Sequence, residues 1–215
     1  MDENRPTTIE ELYDDRGHVY YAVDNAKIIW TNFSGRGNSY NRDGKRNFNF
    51  IFPDPELAQK FALLEYNVKH RSVRDGFDGD EFDFLKVDIS YETDKGQPIE
   101  EINPEWYPRI YLLDDNNYAT EIFKDNLGEL DGKFIIDSYF EFRPYPWKMK
   151  NGKSGTAAKL KRLFLKIKKD PLAGRFKFRD SEAIHPNDYT VLRSQEIRER
   201  NGQVPGGDDL PFDIP

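Results

Sequence analysis

The fold is decided by residues 26–61, which read AKIIWTNFSGRGNSYNRDGKRNFNFIFPDPELAQKF. Apolar and polar residues alternate over 26–34 and again over 46–52, and a period of two is typical of strands with one buried face. The polar, glycine-rich segment between them predicts a long hairpin loop. Alternation in the second strand places three rings on one face: Phe48, Phe50 and Phe52. This stretch therefore predicts a β-hairpin with an aromatic, core-facing side.

A helix is predicted directly after the hairpin. The prolines at 53 and 55 end the strand, and Asp54 between them has the short acceptor side chain that caps a helix N-terminus. Leu57, Phe61 and Leu64 then recur on one helical stripe. The sequence thus predicts a short helix beginning at Pro55.

Further segments alternate in the same way at intervals along the chain. They are EFDFLKVDISY (81–91), PRIYLLD (108–114), GKFIIDSYFEFRPYPW (132–147) and AAKLKRLFLKIKK (157–169). The last segment is ambiguous, because its alternation favours a strand with a basic face whereas its Ala-Lys-Leu start is compatible with a helix. The fold class predicted from these patterns is mainly β, with one or two short helices.

Composition limits the class of protein. The 215 residues suffice for one domain with extensions, and 14% of them are aromatic. The absence of cysteine excludes disulfides and thiolate metal sites and fits a reducing compartment. The acidic N-terminus does not resemble a signal peptide, and no apolar run approaches a membrane span. We expect a cytoplasmic protein with no membrane partner.

Charge is distributed unevenly along the chain. The net charge is −7, yet residues 1–25 hold seven acids against two bases and residues 208–215 hold three acids and no base. In contrast, residues 143–170 carry ten Lys or Arg against one acid. This pattern indicates one cationic face and acidic ends that keep the protein soluble or compete for that face. We predict an acidic, weakly ordered extension (1–22), a folded domain (23–180), and a flexible linker with an acidic tail (181–215).

The hairpin carries the first candidate site. Cations and rings are mounted on the loop and its flanks: Trp30, Arg36, Tyr40, Arg42, Lys45 and Arg46. Such a mixture suits an unpaired nucleic-acid strand, because cations follow the phosphates and rings stack on the bases. The alternative is a solvated hairpin whose rings belong to the core.

The second candidate site is a basic run with interleaved rings. Its members are Tyr145, Trp147, Lys148, Lys153, Lys159 and Arg162. Prolines at 144 and 146 restrict the backbone, so that the rings project from an ordered segment. An ordinary solvated loop is the competing interpretation of the same residues.

Catalytic patterns are weak by comparison. The acidic stretch at 75–84 does not match a calcium loop, and a solvated turn is favoured over a metal site or an acid–base pair. The three histidines are scattered, the residues at 152–154 lack the first glycine of a P-loop, and no nucleophile-elbow motif occurs. We expect no catalytic residue, no cofactor and no metal.

The chain resembles phage-encoded single-stranded DNA-binding proteins with an OB fold. The resemblance rests on the quoted stretch 26–61 and on YPWKMKNGKSGTAAKLKRLFLKI (145–167), and it covers about residues 25–175. It implies an OB-fold-like, five-stranded Greek-key barrel with insertions. It also implies a protein that coats exposed strands during phage DNA replication or recombination with little sequence preference.

The C-terminal end resembles the acidic DDDIPF-type tail of bacterial single-strand-binding proteins, which recruits replication and repair enzymes. The residues concerned are Asp208, Asp209, Leu210, Pro211, Phe212, Asp213 and Ile214. In the bacterial pattern the last residue is Phe, whereas here three residues follow Phe212. The tail is expected to compete with DNA for the cationic groove or to recruit replication or recombination proteins.

Two other functions remain open at this point. The first is a phage accessory or recombination-mediator protein whose basic face docks an acidic protein. The second is an acid–base hydrolase that uses carboxylates near residue 80. A homo-oligomer is also compatible with the sequence.

Overall fold

The computed structural model describes residues 5–72, 81–93 and 95–168. The elements in these ranges are β1 Thr8–Tyr13, β2 Val19–Asp24, β3 Ile28–Asn32, β4 Arg46–Ile51, α1 Pro55–Leu63, β5 Lys69–Arg71, β6 Phe82–Ile89, α2 Ile99–Ile102, β7 Arg109–Leu113, β8 Ala119–Glu121, β9 Ile135–Lys148 and β10 Ser154–Ile167. Two 3-10 helices, Pro104–Trp106 and Lys124–Leu130, complete the set.

All ten described strands belong to one sheet. Its main path runs β1-β2-β9-β10-β6-β4-β3, with β5 paired to β6 and β7 paired to both β10 and β8. Two pairs are parallel, β10 with β6 and β10 with β7, and all the other pairs are antiparallel. The mainly β prediction is confirmed. The described sheet has more strands than the five predicted, and it does not close into a ring.

The long strands β9 and β10 organise the sheet. They pair with each other over almost their whole length, and β10 has β6 beside its first half and β7 beside its second half. A register shift at Lys161 marks the point where the neighbour changes. Such a bulge bends a strand and increases its twist, and here it lets one strand serve two parts of the sheet.

The inner face of the sheet is an aromatic core. The three rings predicted to share a face, at 48, 50 and 52, are all buried, as are Phe140 and Phe142 of β9. Phe61 of α1 joins them, with its ring centroid 5.4 Å from that of Phe52 and 6.1 Å from that of Phe142. Burial of these rings and their tilted or edge-on packing supply much of the driving force for folding.

The helix α1 begins as predicted. The Asp54 carboxylate accepts a hydrogen bond of 2.7 Å from the backbone N–H of Leu57, and Pro55 occupies the first turn, where its missing N–H costs nothing. The chain leaves the helix through Glu65, which has a left-handed φ of 62°. The predicted strands at 81–91, 108–114, 132–147 and 157–169 are also present, and the ambiguous last segment is a strand.

Four short strands were not predicted: β1, β2, β5 and β8. The boundary predicted at residue 22 falls inside β2, and the segment 8–13 pairs with β2 at the edge of the sheet. The acidic composition of this region indicated an extension, whereas pairing with β2 and β9 orders it. The second predicted boundary, at residue 180, lies outside the described residues.

Candidate nucleic-acid interface

One face of β6 is polar where the strand crosses the sheet. Leu85, Val87 and Ile89 are buried on the inner face, and the residues between them, Lys86 and Asp88, point to the opposite side. We call this opposite side the outer face of the sheet. Cross-strand register assigns residues of the neighbouring strands to the same face.

A row of polar residues in register crosses the outer face from β3 to β9. The cross-strand partners follow one another in the order Asn32, Asn47, Asp88, Lys159, Arg143. Four steps between neighbouring strands, at about 4.8 Å each, give a length of about 19 Å. The two ends of this row are the two regions that the sequence singled out separately, so the fold joins them on one surface.

The loop at residues 33–45 is fixed at its base by side-chain hydrogen bonds. The Asp131 carboxylate accepts hydrogen bonds from the backbone N–H groups of Phe33 and Ser34, at 2.7 and 3.0 Å. The Asn32 side chain donates to the carbonyl oxygens of Arg36 and Lys45, at 3.2 and 2.9 Å. The loop therefore has a defined position over the outer face, which is what a binding element requires.

Gly35 is required by the close approach of the two sides of this loop. It has a left-handed φ of 74°, and its carbonyl oxygen accepts a hydrogen bond of 2.8 Å from the N–H of Gly44. A Cβ at this position would lie 3.0 Å from Cγ of Arg46 and 3.3 Å from the backbone carbon of Gly44. Another residue here would suffer both backbone strain and a close contact.

The loop and the sheet enclose a basic cleft of about 260 Å³. Its lining residues are Tyr40, Asn41, Arg42, Lys45, Arg46, Lys86, Asp88, Ile89, Ser90 and Lys159. Five of these residues are cationic, and Asp88 is the one carboxylate among them. A cleft with this excess of positive charge attracts phosphate groups.

A ring–cation stack extends the cleft along the outer face. It consists of Trp106, Arg143, Tyr145 and Lys159. The Arg143 guanidinium lies 4.3 Å from the ring centroid of Trp106 and 5.8 Å from that of Tyr145, and the Lys159 ammonium lies 5.6 Å from the Tyr145 centroid. Both rings remain partly exposed. Alternating rings and cations with open ring faces are suited to stacked bases and their phosphates.

Arg143 is held firmly in this stack. Burial lowers the pKa of Arg143 from its ordinary value, and the nearby Tyr145 partly opposes that shift. A guanidinium keeps its charge despite such a shift. Its Nε atom is buried and has no hydrogen-bond partner among the described residues. Arg143 is therefore a half-buried, charged guanidinium between two rings at this end of the row.

Trp30 heads a separate aromatic cluster on the outer face. Its ring centroid lies 4.9 Å from that of Phe84 and 6.0 Å from that of Phe82, and the Arg71 guanidinium lies 5.7 Å from the indole. The ring is about half exposed. Trp30 has a left-handed φ of 46° at a bulge in β3. This backbone conformation is strained for a bulky residue, and strained conformations of this kind are concentrated at functional sites.

Most of the predicted site residues line the basic cleft or are exposed near it, on the outer face or at the β9–β10 turn. The structure brings Tyr40, Arg42, Lys45, Arg46 and Lys159 together in the basic cleft. Arg36 is exposed on the same loop, and Lys148 and Lys153 are exposed at the β9–β10 turn. Tyr145 belongs to the stack, and Trp30 to its own cluster on the outer face.

Arg162 and Trp147 are engaged within the protein, as is Lys159 of the cleft, which contacts Asp88 and Ser90. The Arg162 Nε atom lies 2.6 Å from Oε2 of the buried Glu141, and hydrogen bonding to that carboxylate raises the pKa of Arg162. The indole of Trp147 lies against Gly155, its cross-strand partner on β10, since a Cβ at Gly155 would come within 2.8 Å of Cζ2 of Trp147. Their availability to a ligand is therefore reduced.

Sequence reasoning did not select several residues that the structure places here, among them Lys86, Asp88, Ser90, Arg143 and Trp106. Lys86 could have been found from the alternation of 81–91, and Arg143 from the basic run. Trp106 has no such signal, because it lies in a short 3-10 helix far along the chain from both candidate sites. The predicted tail, 208–214, lies outside the described residues.

A family model described as "Putative phage ssDNA-binding domain" matches residues 17–196. The chain belongs to this family. The predicted family is thus confirmed, and the ligand of this phage ssDNA-binding protein is single-stranded DNA. The residues of the basic cleft and of the ring–cation stack all lie within the matched range.

Three solved structures are similar to this ssDNA-binding protein. The single-stranded DNA-binding protein of bacteriophage Enc34 in complex with ssDNA has 11% identity and a TM-score of 0.43, covering 77% of this chain and 99% of its own. A C-terminal truncation of that protein has 12% identity and a TM-score of 0.41, covering 76% and 98%. The gp2.5 single-stranded DNA-binding protein of bacteriophage T7 has 8% identity and a TM-score of 0.35, covering 84% and 97%.

The family assignment rests on the family model, because these TM-scores are low. Among curated proteins, none matches the chain in sequence. Within the described ranges, no helix has the length and apolar character needed to cross a membrane. In the same ranges, no group of three or more His, Asp or Glu side chains is placed to hold a metal ion.

Proposed function

We propose that single-stranded DNA crosses the outer face of the sheet from the loop at 33–45 to Trp106. In this path the cleft cations, with Arg42 and Lys45 at the loop, contact the phosphates. Bases stack on Tyr145 and Trp106 between the cations of the ring–cation stack. The observation that carries the proposal is Lys159, which belongs both to the basic cleft and to the stack and so joins them into one surface.

The same arrangement favours single strands over duplexes and discriminates little between sequences. Every base presents a π-face and every nucleotide a phosphate, so rings and cations recognise any unpaired strand. In a duplex the base faces are stacked on each other and are not accessible to Tyr145 or Trp106.

In the cell this protein would coat exposed strands during phage DNA replication or recombination, in the host cytoplasm. We assign it no catalytic step. Membership of a DNA-binding family supports both statements. Residues 208–215 carry three acids and no base, and we further propose that this tail competes with DNA for the basic cleft or recruits a partner.

A fluorescence titration tests the binding path. Oligo-dT and a duplex of equal length are added to the full chain at low and high salt, and tryptophan emission is followed. We expect quenching by oligo-dT, weak binding of the duplex, and a steep loss of affinity with salt. Lys45→Ala should lower the slope of log K against log salt by about 0.7, the value for one phosphate contact of a single strand.

The matched control is Lys60→Ala. Lys60 is an exposed lysine on α1 that lines neither the cleft nor the stack, so the same change in net charge should leave the slope unaltered. A chain ending at Gly207 should bind oligo-dT more tightly if the tail competes. Equal effects of the two lysine variants would contradict the path, and tight binding of a protein partner with no binding of oligo-dT would favour the mediator function.

A further inference from the structure

Asp88 lies between two lysines on the floor of the basic cleft. Its Oδ1 atom is 3.0 Å from the Lys86 ammonium and its Oδ2 atom is 3.2 Å from the Lys159 ammonium. Lys159 also donates a hydrogen bond of 3.0 Å to Oγ of Ser90. The carboxylate and the Lys159 side chain are each about three-quarters shielded from solvent.

Two ammonium groups on either side of one anionic group, with a hydroxyl hydrogen-bonded to one of the ammonium groups, form a phosphate-binding arrangement. Each lysine carries three donors, the serine hydroxyl carries one, and a phosphodiester oxygen accepts hydrogen bonds as a carboxylate oxygen does. In the free protein the anionic group between the two lysines is the carboxylate of Asp88, and the Ser90 hydroxyl accepts its hydrogen bond from Lys159. Its position on β6 is fixed by the register with Asn47 on one side and Lys159 on the other.

We propose that Lys86, Lys159 and Ser90 form a phosphate subsite that Asp88 occupies in the free protein, so that Asp88 acts as a built-in competitor of DNA. This inference rests on the binding path proposed above and adds a residue that weakens binding. When DNA binds, the two lysines exchange the carboxylate for a phosphodiester. The negative charge of Asp88 stays beside that phosphodiester and repels it.

Asp88 should therefore lower the affinity for DNA at the centre of the cleft. A coat protein must release the strand when other proteins need it, and a carboxylate that recaptures the lysines lowers the barrier to release. Of the other three cleft cations, Arg42 and Lys45 are exposed on the loop and Arg46 is partly buried, and no carboxylate other than Asp88 lines the described cleft. The effect should therefore depend on this single residue.

Asp88→Asn tests the proposal because it removes the charge and keeps the shape. We expect oligo-dT to bind about fivefold more tightly at low salt, the factor that corresponds to one unit charge about 4 Å away in water. The slope of log K against log salt should become steeper by up to about 0.7. The gain should appear mainly as slower dissociation, measured by stopped-flow competition with unlabelled oligo-dT.

The matched control is Asp83→Asn. Asp83 lies on the same strand, is shielded to the same degree and also has a side-chain partner, since its Oδ1 atom lies 2.9 Å from Nδ1 of His70. Asp83 is an odd number of residues away from Lys86 and from Asp88, so its side chain lies on the other face of β6 and does not line the cleft. Asp83→Asn therefore measures the general effect on binding of removing one negative charge from the protein. Thermal unfolding of both variants verifies that each is folded.

Oligo-dC separates the proposal from direct base recognition. A carboxylate can accept a hydrogen bond from the amino group of cytosine but not from thymine at the same place. If Asp88 reads bases, Asp88→Asn weakens oligo-dC and leaves oligo-dT unchanged; if Asp88 only orients the lysines, both oligonucleotides bind more weakly. Either outcome overturns the proposal. Failure of the wild type to bind oligo-dT would instead reject the binding path itself.

Discussion

The two faces of the sheet use the same residue type for different purposes. On β9, Phe140 and Phe142 point inward and are completely buried, whereas Tyr145 and Trp147 point outward and keep more than a third of their surface exposed. The inner rings contact other rings. The outer rings contact cations or lie against backbone. The parity of an aromatic residue along β9, together with its neighbours, thus determines whether its ring is buried in the core or exposed on the outer face.

The largest effect should come from an inner ring. Phe142→Ala removes a ring whose centroid lies 5.3 Å from that of Tyr21 in a stacked arrangement and 6.1 Å from those of Phe61 and Tyr66. We expect a loss of about 3–5 kcal/mol in the free energy of unfolding, measured by urea titration with circular dichroism. A loss below about 1 kcal/mol would show that the inner rings are not a tightly packed core.

Replacement of an outer ring should affect binding and leave the fold intact. Tyr145→Ala removes a stacking surface between Arg143 and Lys159, and we expect oligo-dT binding to weaken by about 1–3 kcal/mol with little change in unfolding. Tyr118→Ala is the control, because Tyr118 is an exposed tyrosine that lines neither the cleft nor the stack. Equal binding by Tyr145→Ala and wild type would remove Tyr145 from the interface.

Trp147 is intermediate between the buried inner rings and the exposed outer rings, and Gly155→Ala tests its contact with the backbone of β10. The added Cβ would meet the indole at 2.8 Å, so the ring must move outward. Since the indole is partly exposed and has room to shift, we expect a loss of about 1 kcal/mol in unfolding free energy, at the lower end for overpacking. Unchanged stability would mean that contact with Gly155 contributes little and that Trp147 resembles the other outer rings.

The smallest effect concerns Tyr66, an inner ring with a polar atom. Its hydroxyl is buried with no hydrogen-bond partner in the described structure, so Tyr66→Phe should leave stability unchanged or raise it by up to about 1 kcal/mol at neutral pH. A fall of more than about 1 kcal/mol on removal of the hydroxyl would contradict this assignment.

The same substitution should alter the response to alkali. Burial raises the pKa of Tyr66, so the native hydroxyl stays protonated while the unfolded one ionises near pH 10. Stability is therefore full below pH 10 and falls above it, and Tyr66→Phe should reduce that fall. Urea titrations at pH 8 and pH 10.5 measure the difference. An identical fall in both proteins would show that Tyr66 does not contribute to it.

Much of the fold could be predicted from alternation. The hairpin of β3 and β4, the helix capped by Asp54, and the strands β6, β7, β9 and β10 all have strong local patterns. The strands β1 and β2 were missed because acidic composition dominated the interpretation of that region. β2 is ordered by pairing with β9, a contact more than a hundred residues away along the chain, and β1 is ordered by pairing with β2.

The candidate site was predictable only in parts. Loop cations and rings indicated one region, and the basic run of 143–170 indicated another. That Lys159 connects them, that Trp106 stacks on Arg143, and that Arg162 is paired with Glu141 depend on strand register, which no local pattern specifies.

The sequence by itself determined the fold class and the family and indicated the cationic and aromatic residues that we propose bind a single strand, because each is encoded in local periodicity or in a contiguous motif. The tertiary structure decided which rings are core and which are exposed on the outer face. It also decided that the carboxylate of Asp88 lies between Lys86 and Lys159. The physical reason is that an alternating strand defines two faces without stating which one is buried, and only packing against the rest of the sheet makes that choice.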